Sequence, residues 1–201
     1  MTKAELRKTY LAKQLSLSLA ERADKSRRVA DNILANVKLS KISFLHCFIS
    51  VERFNEIDTT PIFERIWNES PNVVTVVPRV NFQNGKMENL KYTAETELVQ
   101  NTWEIYEPSH SNFVETREID MVLVPGVYFD KRGHRVGYGK GFYDKFLSTC
   151  RKDCTKVGLG YFEPVEELIS DIGDFDVTLD FCVTPTKIHT TQPGEKGIVR
   201  R

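Results

Sequence analysis

MVLVPGVYFDKRGHRVGYGKGFYDKFL, residues 121–147, opens with a short apolar run, 121–124, that predicts a fully buried strand. Pro125 and Gly126 end it. A loop follows with glycines at 133, 137, 139 and 141 and bases at Lys131, Arg132, Arg135 and Lys140. Phe142, Tyr143, Asp144, Phe146 and Leu147 then predict the start of a helix. A glycine-rich turn between a strand and a helix brings backbone N–H groups close to an anion, and the helix N-terminus adds its unpaired donors and positive dipole end. The pattern predicts a phosphate-binding loop, against the alternative of a flexible basic loop with no ligand.

Two familiar phosphate templates fail. The dinucleotide fingerprint Gly-x-Gly-x-x-Gly needs a glycine where Phe142 stands, and the P-loop needs Ser or Thr where Gly141 follows Lys140. The combination favours a different clamp. Lys140 sits between two glycines, Arg135 lies near them, and Asp144 follows within one helical turn. A magnesium ion typically binds through one or two carboxylates plus substrate phosphates.

The same stretch closely resembles the glycine-rich motif of the 5-formyltetrahydrofolate cyclo-ligase, or methenyltetrahydrofolate synthetase, family. Pro125, Gly126, Phe129, Asp130, Gly133, Arg135, Gly137, Gly139, Gly141, Tyr143 and Asp144 fall in register with it. Val136 and Phe142 are mild departures, the latter lacking a tyrosine hydroxyl. The resemblance runs over residues 3–184. It implies a Rossmann-like three-layer αβα sandwich with a largely parallel sheet, related to sugar-phosphate isomerase and CoA-transferase-like folds.

Composition is consistent with that. A chain of 201 residues, 40% hydrophobic and 28% charged, predicts one soluble α/β domain, residues 1–185, with 186–201 as a flexible tail. Formal net charge is zero, so no global field points to nucleic acid or a membrane, and an anion site must come from local arrangement. The first residues lack the apolar core of a signal peptide, and no apolar run approaches the roughly 18 residues of a membrane span. A cytoplasmic monomer or weak dimer with reduced thiols is expected. Cys47 and Cys182 fall in apolar, strand-like runs; Cys150 and Cys154 are spaced to face one another on a helix, without a zinc-like ligand set nearby.

Residues 3–38 read as two helices broken at 16–18, with Ser18 capping the second and Glu21 completing a capping box. Lys3 and Arg7 share one face of the first, where the alternative is simple solvated charge. The cyclo-ligase resemblance implies that Lys3, Ala4, Glu5, Leu6 and Arg7 belong to the ATP site. Residues 42–49 predict a strand, and Thr60-Pro61 a helix N-cap followed by Pro at the first position. Residues 73–77 predict a strand ended by Pro78, and Asn84-Gly85 a turn before another at 87–92. Later strands are expected at 155–162 and 181–184. Residues 163–166 lack the Gln that many relatives carry in this turn.

The resemblance also implies the remaining roles. Lys140, Arg135 and Tyr143 are the expected catalytic groups. Arg135, Val136, Gly137, Tyr138, Gly139, Lys140, Gly141, Phe142 and Tyr143 are expected to line ATP. Ile49, Glu56, Tyr138 and Phe142 are expected at the folate, Glu56 because a carboxylate can accept two adjacent pterin N–H donors. Trp103 is assigned either to the folate pocket or to the core, and its segment departs from the family's Gly-Ile-x-Glu-Pro by Glu104. Asp144 and Asp176 are the expected Mg2+ ligands. The implied reaction is ATP-dependent closure of 5-formyltetrahydrofolate to 5,10-methenyltetrahydrofolate. The competing classes are a sugar-phosphate isomerase or deaminase, which needs an acid or base in the loop, and a nucleotide- or folate-binding module without catalysis.

Overall fold

Helix α1 (Lys3–Leu15) starts at a reciprocal cap: the Thr2 hydroxyl accepts from the Glu5 N–H, and the Glu5 carboxylate accepts from the Thr2 N–H. Helix α2 (Leu19–Asn36) repeats the device with Ser18 and Glu21, as the sequence predicts. Each box satisfies donors that a helix start leaves unpaired. The computed structural model describes residues 1–81, 83–164 and 168–191. Positions 165 and 166 of the turn without Gln, and residues 192–201, lie outside these.

The sheet is built on β1 (Phe44–Cys47), β2 (Val74–Asn81), β6 (Met121–Pro125), β9 (Thr155–Leu159) and β10 (Phe181–Val183). These run parallel in the order β10-β9-β6-β1-β2. Antiparallel edges, β3 (Lys86–Lys91) beside β2 and β11 (Ile188–Thr190) beside β10, complete seven strands. Two small hairpins stand apart: β4 (Leu98–Gln100) with β5 (Tyr106–Pro108), and β7 (Tyr128–Phe129) with β8 (Arg135–Val136). Helices α2 and α3 (Thr60–Glu69) cover one face of the sheet and α4 (Phe142–Thr149) the other.

Strand β6 shows why its sequence is uniformly apolar. Met121 and Leu123 pack with α2 and α3, while Val122 and Val124 pack with α4, so all are buried. Truncating a core residue such as Leu123 should cost about 2–5 kcal/mol. Phe129 fits against glycines: a Cβ on Gly158 or Gly160 would meet its ring at 2.3 or 2.5 Å. Either alanine substitution therefore overpacks the core, at about 1–3 kcal/mol.

Several boundaries differ from the sequence pattern for physical reasons. Strand β2 continues through Pro78, because its pairing with β1 ends at His46↔Val76 and beyond that point only β3 flanks it. A proline is tolerated where no neighbour needs its N–H. Thr59, not Thr60, caps α3, so Pro61 is the second helical residue; the Thr59 hydroxyl instead donates to the Phe48 carbonyl at 2.8 Å. Strand β1 is shorter than residues 42–49, which leaves Ile49 beyond its end. Strand β11 occupies three residues of the expected tail. Cys150 caps α4 and Cys154 follows a turn, so the two do not share a helix. No helix among the described residues is long and apolar enough to cross a membrane.

Candidate active site

From β1 the chain crosses through α3 to β2 on one side; from β6 it crosses through α4 to β9 on the other. Open parallel sheets bind ligands beyond the carboxyl ends of their strands at such a switch point. Here a cavity of about 550 Å³ opens there. Phe48 and Ile49 reach it just past the end of β1, Pro125 closes β6 against it, and Pro78 and Val80 line it from β2.

One part of the lining is charged. Lys3 and Arg7 reach it from one face of α1. The Lys3 ammonium pairs with Asp176, and the Arg7 Nε donates to the Gly137 carbonyl at 2.7 Å. Arg135 is buried and pairs with Asp144 at 3.0 Å; it also donates to the Val177 carbonyl at 3.2 Å. Asp144 in turn accepts from the Val177 N–H at 3.1 Å, which ties the first turn of α4 to the segment bearing Asp176. Burial works against the Asp176 charge, yet Lys3 and the Gly173 N–H hold its carboxyl below the usual range. Lys140 stands exposed on the loop. Gly139 and Gly141 have φ of +95° and +69°, conformations that an L side chain rarely adopts, and Gly141 is the residue from which α4 starts. The Lys140 turn thus depends on its two glycines.

The other part is apolar and aromatic around one carboxyl. Phe54 stacks on Tyr138 with ring centroids 4.7 Å apart, and Arg53 lies over the outer ring of Phe54 at 4.8 Å. Glu56 is buried beside them and accepts from the Val51 N–H at 2.7 Å. Its burial pushes the carboxyl up to about 7, although the Val51 and Tyr138 hydrogen bonds and the charges of Arg22 and Arg53 oppose the shift. Trp103 and Ile105, from the turn between β4 and β5, complete the wall with Met87 of β3. Trp103 is 46% exposed, which places it in the cavity wall rather than the core.

Lys3, Arg7, Ile49, Glu56, Trp103, Arg135, Gly137, Tyr138, Gly139, Lys140, Gly141, Phe142, Tyr143, Asp144 and Asp176 all line this one cavity. Ala4, Glu5, Leu6 and Val136 do not. Leu6 and Val136 are 1% exposed and pack together with Tyr128, Glu5 is used in the α1 cap, and Ala4 faces solvent. Helical and strand periodicity separates them: Lys3 and Arg7 are one turn apart on one face, and Leu6 faces the core. The Tyr143 hydroxyl is buried with no hydrogen-bond partner among the described residues, and burial raises its pKa well above the ordinary phenol value. It therefore stays protonated.

Sequence reasoning overlooked Phe54, Val80 and Glu107. Glu107 is buried and accepts from the Val80 N–H at 3.2 Å. Ending the strand at Pro78 hides Val80, and nothing local distinguishes Phe54 from other loop residues. Glu107 stands in the segment compared with Gly-Ile-x-Glu-Pro, which was the available signal.

Comparison with known proteins gives a consistent picture. The profile of the 5-formyltetrahydrofolate cyclo-ligase family matches residues 1–185. The mouse 5-formyltetrahydrofolate cyclo-ligase is 28% identical over 155 residues, covering 74% of this chain and 72% of that protein. The enzyme of the same name from Escherichia coli (strain K12) is 33% identical over 137 residues, covering 66% of this chain and 74% of that one. The solved structure of the Aquifex aeolicus 5,10-methenyltetrahydrofolate synthetase superposes with a TM-score of 0.82 at 29% identity, covering 98% of this chain and 96% of that one.

Proposed function

The chain belongs to the 5-formyltetrahydrofolate cyclo-ligase family, and we propose that it converts 5-formyltetrahydrofolate to 5,10-methenyltetrahydrofolate with ATP and Mg2+, releasing ADP and phosphate. The observation that carries this reading is one cavity lined both by the basic glycine loop and by the aromatic wall around Glu56. Such a cavity offers adjoining surfaces suited to a polyanion and to a flat heterocycle.

The formyl group on N5 is an amide, with a weak electrophilic carbon and an oxygen that leaves poorly. Transfer of the γ-phosphoryl group to that oxygen forms a P–O bond, breaks the bond to the β-phosphate and releases ADP. N10 then attacks the activated carbon and loses its proton, and the carbon–oxygen bond breaks as phosphate departs. The protein's part in such chemistry is positioning and charge stabilisation. In this reading Lys140 and Arg7 neutralise the phosphates, and the backbone of residues 137–141 lines them. Arg135 adds buried positive charge while orienting Asp144. Glu56 accepts pterin N–H donors, and Phe54, Tyr138 and Trp103 offer ring faces. No side chain serves as a covalent nucleophile.

The fit to Mg2+ is that of an incomplete protein site. Among the described residues no group of three or more His, Cys, Asp or Glu side chains is placed to hold a metal. Asp144 and Asp176 are two hard oxygen donors, each already neutralised by a base. That suits an ion that takes most of its ligands from phosphate and water. Asp144 and Asp176 would hold it, and it would supply charge neutralisation on the polyphosphate.

The test is incubation with 5-formyltetrahydrofolate, ATP and Mg2+, following the methenyl chromophore and phosphate together. Equal yields, both lost when either substrate is omitted, are expected. Phosphate release indifferent to folate would identify a plain ATPase instead.

A further inference from the structure

Four acids line the cavity, Glu56, Glu107, Asp144 and Asp176, and they are of two kinds. Asp144 and Asp176 are each paired to a base, Arg135 at 3.0 Å and Lys3. Glu56 and Glu107 are ion-paired to none among the described residues. Each instead accepts from a backbone N–H with one carboxylate oxygen, Glu56 from Val51 at 2.7 Å and Glu107 from Val80 at 3.2 Å. In the proposed reaction Glu56 meets the pterin, and Glu107 is unused. We propose that Glu107 is a second folate-binding carboxylate, whose other oxygen accepts a hydrogen bond from a secondary-amine N–H of the reduced folate, N8 or N10. This rests on the folate reading of the cavity.

Strand geometry sets the side chain in place. Neighbouring residues of β5 alternate, Tyr106 exposed and Glu107 turned inward with 8% exposure. Val80 of β2 pairs in register with Met87 of β3, and both line the cavity beside Glu107 and Ile105. The next base along β2 is engaged elsewhere: Arg79 pairs with Glu88 at 2.9 Å and donates to the His110 carbonyl at 3.0 Å.

A buried carboxylate with no cation beside it is costly unless hydrogen-bond donors satisfy it. An ionised carboxylate only accepts, and it has room for several donors. The Val80 N–H occupies Oε1 and leaves Oε2 to be met from the cavity. Phosphate is the wrong partner, since like charges would meet, and an N–H donor is the right one. 5-Formyltetrahydrofolate offers the 2-amino group and N3–H, the adjacent pair that suits Glu56, and then N8–H and N10–H. The last two are the donors left for Glu107. Glutamine is no substitute, because its single oxygen serves either Val80 or the ligand, and its amide turns a donor where an acceptor is needed.

The experiment is calorimetry on the full chain and on Glu107→Gln, with 5-formyltetrahydrofolate, folic acid, 5-formyl-6-methyltetrahydropterin and ATP as separate ligands. Folic acid keeps N10–H and lacks N8–H; the pterin keeps N8–H and has no N10. Glu107→Gln should bind 5-formyltetrahydrofolate about 10- to 100-fold more weakly, the loss of one charge-assisted hydrogen bond. The same factor lost with folic acid identifies N10 as the donor, and lost with the pterin identifies N8. ATP affinity should hold. Glu107→Asp, which keeps the charge but withdraws it by one methylene, should also lose folate affinity and decides the matter should the glutamine variant not fold. A wild-type chain that binds 5-formyltetrahydrofolate, with a folded variant binding it as tightly, overturns this inference alone. So does an equal loss of folate and ATP affinity, which would make Glu107 a brace between β5 and β2. A wild-type chain that binds no folate overturns the reading of the cavity as well.

Discussion

Gln14 of α1 and Tyr138 of the glycine loop are joined by a hydrogen bond at the wall of the cavity that Glu56 also lines. The Gln14 amide donates to the phenol oxygen at 3.0 Å. Gln14 also donates to the Phe54 carbonyl at 2.6 Å. One residue of α1 thus holds both members of the aromatic stack.

Burial makes stability depend on pH through Glu56. Its carboxyl rises from 4.5 in the unfolded chain to about 7 in the fold. Its contribution is therefore fully present below pH 4.5 and is lost as pH rises through about 7. The loss is on the order of 3 kcal/mol. Glu56→Gln should flatten that part of the profile. Urea midpoints of both proteins at pH 5 and pH 8 test it; parallel shifts would assign the pH dependence elsewhere.

The same substitution separates the two substrates. Glutamine keeps the size of Glu56 but can no longer accept from two pterin donors with a negative charge, so folate affinity should fall by about 1.5–3 kcal/mol. ATP affinity should hardly move. Calorimetry on each ligand measures both, and unchanged folate binding would return Glu56 to a structural role.

Phe54→Ala removes one face of the stack on Tyr138. An aromatic pair contributes about 0.5–1.5 kcal/mol beyond burial. Folate affinity should weaken by that amount with ATP affinity intact. Loss of both affinities would mean that the ring holds the whole loop in place rather than facing the folate.

Lys140 tests catalysis against simple binding. Its ammonium is exposed in the glycine turn, so Lys140→Ala should leave the fold unchanged. Turnover should fall by roughly 10²–10³, about 3–4 kcal/mol, by analogy with a lost oxyanion donor. ATP affinity should fall less. Equal losses would indicate ground-state binding only, and normal turnover would remove the loop from the active site.

Asp144→Asn should have two effects. It removes a charge proposed to face Mg2+, so activity should need more magnesium. It also takes the charged partner from Arg135, whose side chain is only 5% exposed. Asp144 would pass for a freely replaceable loop-edge residue from sequence alone, but the buried pair predicts a stability loss of about 1–3 kcal/mol. Thermal unfolding with and without Mg2+ separates the two effects. An unaltered melting temperature in the absence of metal would show that the pair contributes nothing.

The legible part of this molecule is what near neighbours in the chain determine. The paired caps at Thr2–Glu5 and Ser18–Glu21, the buried run of β6, and the glycine turn into α4 are each set by spacing within a few residues. The resemblance carried by the glycine motif added cavity residues from distant segments, including Ile49, Glu56 and Asp176. Leu6 and Val136, also expected along ATP, turn their side chains to the core. Only the folded chain decided the states of the site groups. Glu56 lies in a loop that reads as solvated charge, and its burial depends on α1, on Tyr138 and on the loop itself closing over it. Lys3 meets Asp176, and Arg135 meets Asp144, only because α1, the glycine loop and the segment before β10 converge beyond the sheet's carboxyl edge. Local sequence sets which backbone conformations are cheap; charge, burial and pKa are sums over neighbours in space, and those neighbours exist only after folding.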